Sequence, residues 1–341
     1  MNNHDMLILT GDDVHHILEN QEQTIVDLVA QAYITHAQGD STLPQSSFLR
    51  FPDNQRDRII ALPAYLGGNT DCAGVKWIAS FPGNIDRGLD RASATILLNS
   101  VETGYPLAIM EGSIISAKRT AASAALAART LHIHEPVTSV GIIGCGLINF
   151  EIVQFLHALF PDLTTLVLFD AQPDRTKHFG ERIQKRFDRC EIIGVHSIRE
   201  VLQHTRLVSF ATTATVPHIA DRSLIQSGST ILHVSLRDFA PQIILDADNV
   251  VDDIDHVCRE RTSVHVAAEQ TGNRAHMRCT LADILQEKET ARTSATKPII
   301  FSPFGLGILD IALSHYTYDI ALRKNHGIQV PSFAATSWQR M

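Results

Sequence analysis

The sequence predicts an α/β fold that contains a doubly wound parallel sheet, and three observations support that class. From Val140 onwards, short apolar runs alternate with helical segments, as in sheets whose parallel strands are joined by helices. Residues 139–170 have the pattern of a strand, a glycine turn, a helix and a second strand that ends in an acid. At 341 residues the chain exceeds the usual size of one hydrophobic core, so two domains are expected.

The second half of the chain supplies the strands of this sheet. Strands are predicted at residues 140–143, 166–170, 191–195, 207–210, 230–234, 249–251 and 298–301. A last helix is predicted from about residue 306 to 324, after a second glycine turn at Gly305.

The first half has a different rhythm, with one helix, several strands and a second helix. Residues 17–37 carry apolar side chains at near-helical spacing and predict one amphipathic helix that ends before Gly39. Apolar runs at 57–62, 74–78, 94–99 and 107–111 predict strands, because turn-forming residues separate them. An alanine-rich helix is predicted from about residue 113 to 130.

Composition excludes several functional classes. With 29 basic and 37 acidic residues the formal net charge is −8, which argues against general affinity for nucleic acid or anionic membranes. The N-terminal residues lack the basic flank and apolar run of a secretion signal, and no apolar run is long enough to span a membrane. The 5 cysteines form no CxxC pair. His15 and His16 lie on different faces of a helix, and His132 and His134 lack the carboxylate partners of a metal site. We therefore expect a cytoplasmic protein without a metal site.

The glycine turn indicates a dinucleotide-binding unit. Gly144 and Gly146 allow a tight turn and a close approach to a pyrophosphate, which binds the N–H groups at the start of the helix, near Leu147 and Ile148. The third small position holds Asn149, which is bulkier than the usual Gly or Ala. The alternative interpretation is a plain strand-to-helix turn.

The acid at the end of the second strand favours NAD over NADP. Asp170 stands 21 residues after Asn149, where the acid of such units bonds the ribose hydroxyls. A 2′-phosphate would be repelled there, and the nearest arginine is Arg175.

Four charged residues outside the glycine turn are candidates for chemistry. Arg50, Lys76 and Arg119 stand where neither apolar pattern nor turn chemistry requires them, and such cations suit a substrate carboxylate. Asp238 follows a predicted strand, and the carboxyl ends of parallel strands face the ligand crevice. The alternatives are solvated surface cations and a turn or capping aspartate.

The motifs together resemble the ornithine cyclodeaminase and mu-crystallin family over nearly the whole chain. They are residues 74–78 (GVKWI), 103–107 (TGYPL), 116–124 (SAKRTAASA), 143–146 (IGCG) and 305–310 (GLGILD). Within the family the chain is most similar to the branch of N-(2-amino-2-carboxyethyl)-L-glutamate dehydrogenases, which release L-2,3-diaminopropionate for siderophores. The marks of that branch are residues 48–50 (FLR), 57–63 (DRIIALP) and 143–148 (IGCGLI).

The resemblance implies an architecture and residue roles. A Rossmann-type NAD domain, residues 131–305, would be inserted into an α+β substrate-binding and dimerisation domain, residues 1–130 completed by 306–341. Arg50, Lys76 and Arg119 would hold the substrate α-carboxylate, and Asp238 would be the acid/base group. Further positions that match the family's dinucleotide lining are Thr120, Thr212, Thr213 and Ser235.

Two departures from the cyclodeaminase pattern bear on the substrate. The cyclodeaminases carry a glutamate near the substrate amines at the position of Ile60, and an ammonium beside an apolar side chain is poorly solvated. The residues after Asp238, Phe239-Ala240-Pro241-Gln242, lack the Pro-Gly-Lys run of those enzymes.

The expected function is therefore NAD-dependent oxidative cleavage of N-(2-amino-2-carboxyethyl)-L-glutamate by a homodimer. A cysteine-synthase-like enzyme is the expected pathway neighbour that makes this substrate. Asp238 would activate water, a role that suits an acid whose pKa burial raises, although cation pairing would lower that pKa. The alternatives are ornithine cyclodeamination, ketimine or alanine dehydrogenation, and a mu-crystallin-like binding protein without turnover.

Overall fold

The computed structural model describes residues 5–335, and the chain divides into two compact units. The first unit comprises the chain up to Arg119 and from Leu306 onwards, and the second is Thr120–Gly305. The first border therefore differs from the expected one after residue 130. The reason is that the helix Ser113–Leu131 is continuous, and the chain leaves the first unit partway along it.

The secondary structure elements are labelled here in chain order. The strands are β1 Met6–Leu9, β2 Ser41–Thr42, β3 Ser47–Phe51, β4 Asn54–Leu66, β5 Cys72–Ser80, β6 Ala92–Ser100, β7 Pro106–Glu111, β8 Ser139–Ile143, β9 Thr165–Phe169, β10 Glu191–Gly194, β11 Leu207–Phe210, β12 Thr230–His233, β13 Asp248–Val251, β14 Met277–Thr280, β15 Ile299–Ser302 and β16 Ile328–Val330. The helices are α1 Gly11–Leu18, α2 Glu22–Ala37, α3 Ser113–Leu131, α4 Leu147–Leu159, α5 Pro173–Arg186, α6 Ile198–His204, α7 Pro241–Asp246, α8 Ile254–Val257, α9 Ser263–Thr271, α10 Leu281–Leu285 and α11 Gly307–Lys324.

The first unit is built on a mostly antiparallel sheet in the order β16-β1-β7-β6-β5-β4-β2, with β3 also paired to β4. The pairing of β4 with β5 is continuous from Arg58 opposite Ser80 to Leu66 opposite Cys72. Helix α11 packs on β4, β5 and β6 and on α2. Because side chains alternate across a strand, the α11 side of β5 receives Lys76, whereas Trp77 points to the other face.

One helix prediction in this unit was wrong. Residues 17–37 form the end of α1 and all of α2 rather than one helix. The break falls at Asn20, whose φ of 57° is left-handed, a conformation that asparagine adopts more readily than most residues. Helix α1 also begins earlier than expected, at Gly11, where Thr10 and Asp13 form a capping box.

The second unit contains a parallel sheet in the order β10-β9-β8-β11-β12-β15-β13-β14. Every pairing in that sheet is parallel, so the predicted fold class is confirmed. The strand order reverses between β8 and β11, and ligands of doubly wound sheets bind at the carboxyl edge beside such a reversal. The structure thus places the glycine turn after β8 and the Thr212 loop after β11 at that switch point.

No helix in the described part of the chain combines the length and the apolar character that a membrane crossing requires.

Candidate active site

The turn after β8 requires glycine at Gly144. Its φ is +91°, and a Cβ there would lie 2.5 Å from the carbonyl oxygen of Ala211. Helix α4 follows at Leu147, and its first residue is preceded by Gly146, which has no side chain to cap the helix. The N–H groups of the first turn are thus left for an anion, as at other dinucleotide sites.

Asn149 braces this turn, which the sequence pattern did not reveal. Its buried amide nitrogen donates to the carbonyl oxygens of Ile143 at 3.0 Å and Gly144 at 2.7 Å. Its amide oxygen accepts from the Ser209 hydroxyl at 2.7 Å, so β8 and β11 are joined across the switch point. The side chain that departs from the usual motif therefore fixes the turn instead of disturbing it.

Asp170 joins the glycine turn to the end of β9. One carboxylate oxygen accepts from the backbone N–H of Cys145 at 2.8 Å, and the other accepts from that of Gln172 at 3.0 Å. Arg175 lies 3.9 Å from the first oxygen and is partly exposed. The loop, the helix start and the acid have the arrangement of a dinucleotide-binding unit, in which an acid at the end of the second strand bonds the ribose hydroxyls.

Cofactor choice gives a first testable prediction. We expect Asp170→Asn to lower the preference for NAD over NADP about tenfold, or ~1.4 kcal/mol, because the charge that repels a 2′-phosphate is lost. Arg175 would then face that phosphate without its acidic neighbour. Dissociation constants for NADH and NADPH measured by fluorescence give the ratio. Asp174→Asn, which removes an exposed acid from the first turn of α5, is the control, and an unchanged ratio in Asp170→Asn would contradict the assignment.

Asp238 is the centre of a buried polar group after β12. The Thr212 hydroxyl donates to its Oδ1 at 2.5 Å, and the Ser235 hydroxyl donates to its Oδ2. His233 Nε2 lies 3.2 Å from Oδ2, and His233 Nδ1 lies 3.2 Å from the Ser302 hydroxyl. His218, on the solvent side, has Nε2 at 3.7 Å from Oδ1. Both oxygens of the carboxylate therefore accept a hydrogen bond from a hydroxyl group, and the partly exposed His218 lies on the Oδ1 side.

The pKa of the Asp238 carboxyl is lowered, whereas burial alone would raise it. Burial raises the pKa of this carboxyl, but His233 and the hydroxyls of Ser235 and Thr212 outweigh burial and lower the pKa to about 2. The group is thus an ionised base at neutral pH. A proton that it receives is held weakly and passed on readily.

The other predicted cofactor residues lie at the same edge of the sheet or near the border of the units. Thr212 and Ser235 contact Asp238, so part of their role is to hold that carboxylate. Leu147 and Thr213 are exposed, and Ile148 is half-buried at the start of α4. Thr120 is the first residue of the second unit, in α3.

The first unit brings Lys76 and Arg119 together around a carboxylate. Lys76 Nζ donates to Asp310 Oδ2 at 2.6 Å and to the Ser116 hydroxyl at 3.0 Å, and Arg119 Nε donates to Asp310 Oδ1 at 3.0 Å. Lys76, Arg119 and Asp310 are buried, with 1%, 7% and 0% of their surfaces exposed. Two cations thus share one anion, and the excess positive charge suits a carboxylate ligand.

The burial of Lys76 changes its acidity. Desolvation and the nearby Arg119 charge lower the pKa of the ammonium from 10.5 to about 8, although Asp310 opposes the shift. The side chain is therefore charged at neutral pH and loses its proton in mildly alkaline solution.

Arg50 is not part of the Lys76 group. It stands on β3 opposite Arg58 of β4, is exposed, and its guanidinium lies 5.4 Å from the Phe48 ring centre. Arg58 in turn is four residues from Leu62, the partner of Lys76, which corresponds to about 13 Å of strand.

Sequence reasoning missed two central residues, Asp310 and His233. Asp310 lies in the first turn of α11 among apolar residues, and an acid in an otherwise apolar helix start is a signal that a buried cation faces it. His233 ends the buried strand β12 and had no sequence signal beyond its position. Within residues 5–335, no group of three or more His, Cys, Asp or Glu side chains is placed to hold a metal.

Comparison with known proteins gives consistent matches over most of the chain. A family model described as ornithine cyclodeaminase/mu-crystallin family matches residues 5–325. The N-((2S)-2-amino-2-carboxyethyl)-L-glutamate dehydrogenase of Staphylococcus aureus is 30% identical over 331 residues, which are 95% of this chain and 98% of that protein.

Two solved structures share the fold at 25% identity. One is the Δ1-pyrroline-2-carboxylate reductase of Thermococcus litoralis in complex with NADH and L-proline, which superposes with a TM-score of 0.88. The match covers 95% of this chain and 100% of the reductase chain. An archaeal alanine dehydrogenase dimer with bound NAD has a TM-score of 0.85 and covers 96% of this chain and 99% of its own.

Proposed function

The chain belongs to the ornithine cyclodeaminase/mu-crystallin family, and from that membership we propose that it is an NAD-dependent dehydrogenase that cleaves N-(2-amino-2-carboxyethyl)-L-glutamate. The products are L-2,3-diaminopropionate and 2-oxoglutarate. The observation that carries the proposal is the pair of buried cations, Lys76 and Arg119, that share one carboxylate within the described part of the chain. The S. aureus relative, whose name states this reaction, supports the choice of substrate.

The glycine turn and Asp170 fit NAD, and structural relatives are complexes with NADH or NAD. NAD supplies the acceptor for the hydride that leaves the glutamyl α-carbon. The task of Lys76 and Arg119 is to fix the α-carboxylate next to that carbon and so to orient the C–H bond.

Residues beside Lys76 argue against ornithine as the substrate. Ile60 stands opposite Phe48 on one side and Ile78 on the other, on the same sheet face as Lys76. An ammonium group over these apolar side chains would lose hydration without a compensating partner. The methylene groups of a glutamyl chain suit this surface better.

Asp238 carries the proton chemistry. Loss of hydride leaves an iminium group; water adds to its carbon and gives one proton to Asp238, which yields a neutral carbinolamine. Asp238 then returns a proton to the amine nitrogen as the C–N bond breaks, and the hydroxyl proton is released as the keto group forms. Each turnover thus consumes one water and releases one net proton.

The proposed reaction is tested with purified protein, NAD and the synthetic substrate. We expect NADH formation together with equal amounts of 2-oxoglutarate and L-2,3-diaminopropionate, identified by mass spectrometry. L-Ornithine, L-alanine and Δ1-pyrroline-2-carboxylate with NADH are assayed in parallel. Faster turnover of one of these would replace the proposed substrate, and tight ligand binding without turnover of any would favour a binding protein.

The proposed substrate and products also indicate which reactions would precede and follow this one. A cysteine-synthase-like enzyme would form the substrate from O-phosphoserine and glutamate, and L-2,3-diaminopropionate would be used in siderophore synthesis.

The sheet face opposite Lys76 supports a homodimer. Trp77 is 45% exposed and stands between Ala61 and Thr95, and the neighbouring pair Val75 and Leu97 is only half-buried. A large apolar sheet face of this kind is normally covered by a partner. The archaeal alanine dehydrogenase with the same fold is described as a dimer.

We expect Trp77→Glu to convert the dimer to a monomer, because a charge in the middle of this apolar face opposes its burial. Light scattering after size-exclusion chromatography measures the molar mass. Ile133→Glu, at an apolar residue that is 42% exposed in the second unit, is the control and should stay dimeric. A dimeric Trp77→Glu variant would place the interface elsewhere.

A further inference from the structure

We propose that His218 is a proton relay, which carries the proton that each turnover releases from the Asp238 carboxylate to the surrounding water. The inference rests on the proposed function, because it concerns a proton of the proposed reaction. It adds a second proton-transfer residue to the site and gives a role to the imidazole that lies on the Oδ1 side of Asp238.

The backbone holds His218 beside Asp238. The backbone N–H groups of His218 and Ile219 both donate to the carbonyl oxygen of Asp238 at 2.9 Å. The backbone N–H of Ala240 donates to the carbonyl oxygen of Ile219 at 2.9 Å, and Ile219 forms a parallel bridge with Phe239. The loop that follows β11 is therefore joined to the loop that follows β12, and residue 218 stays beside residue 238 as long as these bonds are kept.

The His218 ring faces the carboxylate and also reaches the surface. Its Nε2 lies 3.7 Å from Asp238 Oδ1, and its side chain is 36% exposed, whereas that of Asp238 is fully buried. The distance is longer than a hydrogen bond, so the transfer uses a small rotation of the ring or one bridging water. His218 thus lies between a buried carboxylate and the solvent.

The proposed reaction produces a proton that Asp238 does not keep. After it has protonated the amine nitrogen, Asp238 is again an anion and takes the hydroxyl proton of the carbinolamine as the C=O bond forms and the C–N bond breaks. Because the pKa of this carboxyl is about 2, the proton is held weakly. His218 Nε2, in the neutral ring with its proton on Nδ1, accepts this proton from Oδ1. The imidazolium ion then gives a proton to water, which restores both residues.

The other groups around the carboxylate are less suited to this step. The hydroxyls of Thr212 and Ser235 donate to it, and a hydroxyl group does not take up a proton near neutral pH. His233 is 0% exposed, so a proton passed to it would remain in the interior as a buried charge. An imidazole at the surface gains and loses a proton near neutral pH while water solvates the charge.

The test removes the imidazole of His218 and supplies free imidazole in its place. We expect His218→Asn to lower kcat about tenfold in weakly buffered solution, because the proton leaves the buried carboxylate more slowly. KM should change less than twofold, because the relay acts after the substrate has bound. Increasing concentrations of imidazole should restore most of the lost kcat. NADH formation at saturating substrate and NAD measures both effects.

A solvent isotope effect shows whether proton transfer has become the slow step. The ratio of kcat in H2O to kcat in D2O should be larger for His218→Asn than for the wild type. Added imidazole should return it to the value of the wild type. A purely structural role of His218 would not produce a rise that free imidazole reverses.

The controls separate the relay from a general effect of histidine replacement. His204→Asn removes an exposed histidine at the end of α6, and a helix that joins two parallel strands ends at the sheet edge opposite to their carboxyl ends. This variant should keep the wild-type kcat and should not respond to imidazole. His218→Gln should repeat the result of His218→Asn, because neither amide carries a proton. Thermal unfolding confirms that all variants are folded.

The relay and the proposed reaction can fail separately. Wild-type kcat in His218→Asn, or a loss that imidazole does not restore, would overturn the relay and leave the reaction in place. If L-alanine, whose oxidation also proceeds through hydrolysis of an imine, is turned over instead, recovery with imidazole would keep the relay while the proposed substrate falls. Absence of NADH from both substrates would overturn both proposals.

Discussion

Replacing Asp238 by asparagine should lower kcat about 10³-fold and leave the affinity for NAD within twofold. In the proposed mechanism this carboxylate, whose pKa is held at about 2, takes a proton from the attacking water, and an amide of the same shape has no such basicity. Steady-state NADH formation at saturating substrate measures kcat, and fluorescence titration measures NAD binding. Asp246→Asn, at an exposed acid at the end of α7, is the control and should behave as wild type.

The pH dependence adds a second test of Asp238. Because its folded pKa is lowered to about 2, the base form persists as the pH falls through the acidic range, so this group should give no limb in the rate profile near neutral pH. The same shift stabilises the fold above the unfolded pKa of 3.8, and that contribution is lost as the pH falls towards 2. Near wild-type turnover by Asp238→Asn would remove this residue from the mechanism.

The second large effect is expected at Lys76. Lys76→Met should lower kcat/KM about 10²- to 10³-fold, because one of the two cations that we propose to hold the α-carboxylate is lost. The fold should tolerate the change, since Asp310 keeps its hydrogen bond from Arg119 at 3.0 Å. Initial rates over a range of substrate concentrations and chemical denaturation measure the two quantities.

Asp310→Asn provides the matched comparison. It leaves Lys76 and Arg119 buried without an anion and should lower the free energy of unfolding by about 3–5 kcal/mol. A large loss of stability in Lys76→Met together with unchanged kcat/KM would reverse the roles proposed for these residues.

Because the pKa of Lys76 is about 8, substrate affinity should fall and the stability of the fold should rise as the pH increases above that value. Above about pH 8 the ammonium loses its proton and KM should rise. Between about 8 and the unfolded value of 10.5, the unfolded chain binds more protons than the folded one, so stability should increase with pH. In Lys76→Met both trends should disappear, and a rise in KM that persists would assign it to another group.

Much of the fold was predictable because it depends on local patterns. The strands β4 to β7 and the alternation after Val140 follow from apolar periodicity, and the glycine turn follows from the need for positive φ at Gly144. The short strand β1 and the edge strand β16 were not predicted, because they have only 4 and 3 residues and they pair with strands that are distant in the sequence. The break at Asn20 was missed because the apolar spacing continues across it.

The site was less predictable because its partners are distant in sequence. Lys76 and Asp238 are isolated charged residues in the sequence. Their partners were not recognised as site residues, because Asp310 was noted only as the end of the motif 305–310 and His233 only as part of a predicted strand. The pKa of Asp238 went opposite to the effect of burial, because hydroxyls from two loops and a buried imidazole outweigh it. Asn149, which departs from the usual glycine motif, acquired a role only when Ser209 was placed beside it.

The sequence by itself predicted the fold class, the glycine turn of the dinucleotide unit, and Asp170 as the acid at the end of the second strand. Apolar periodicity, turn residues and short spacings are properties of neighbouring residues, so the sequence alone is enough to show them. Only the tertiary structure decided which charges are shared, as with Lys76 and Arg119 on Asp310. The physical reason is that the strength of a charge depends on its burial and its partners, and both arise only when remote segments pack together.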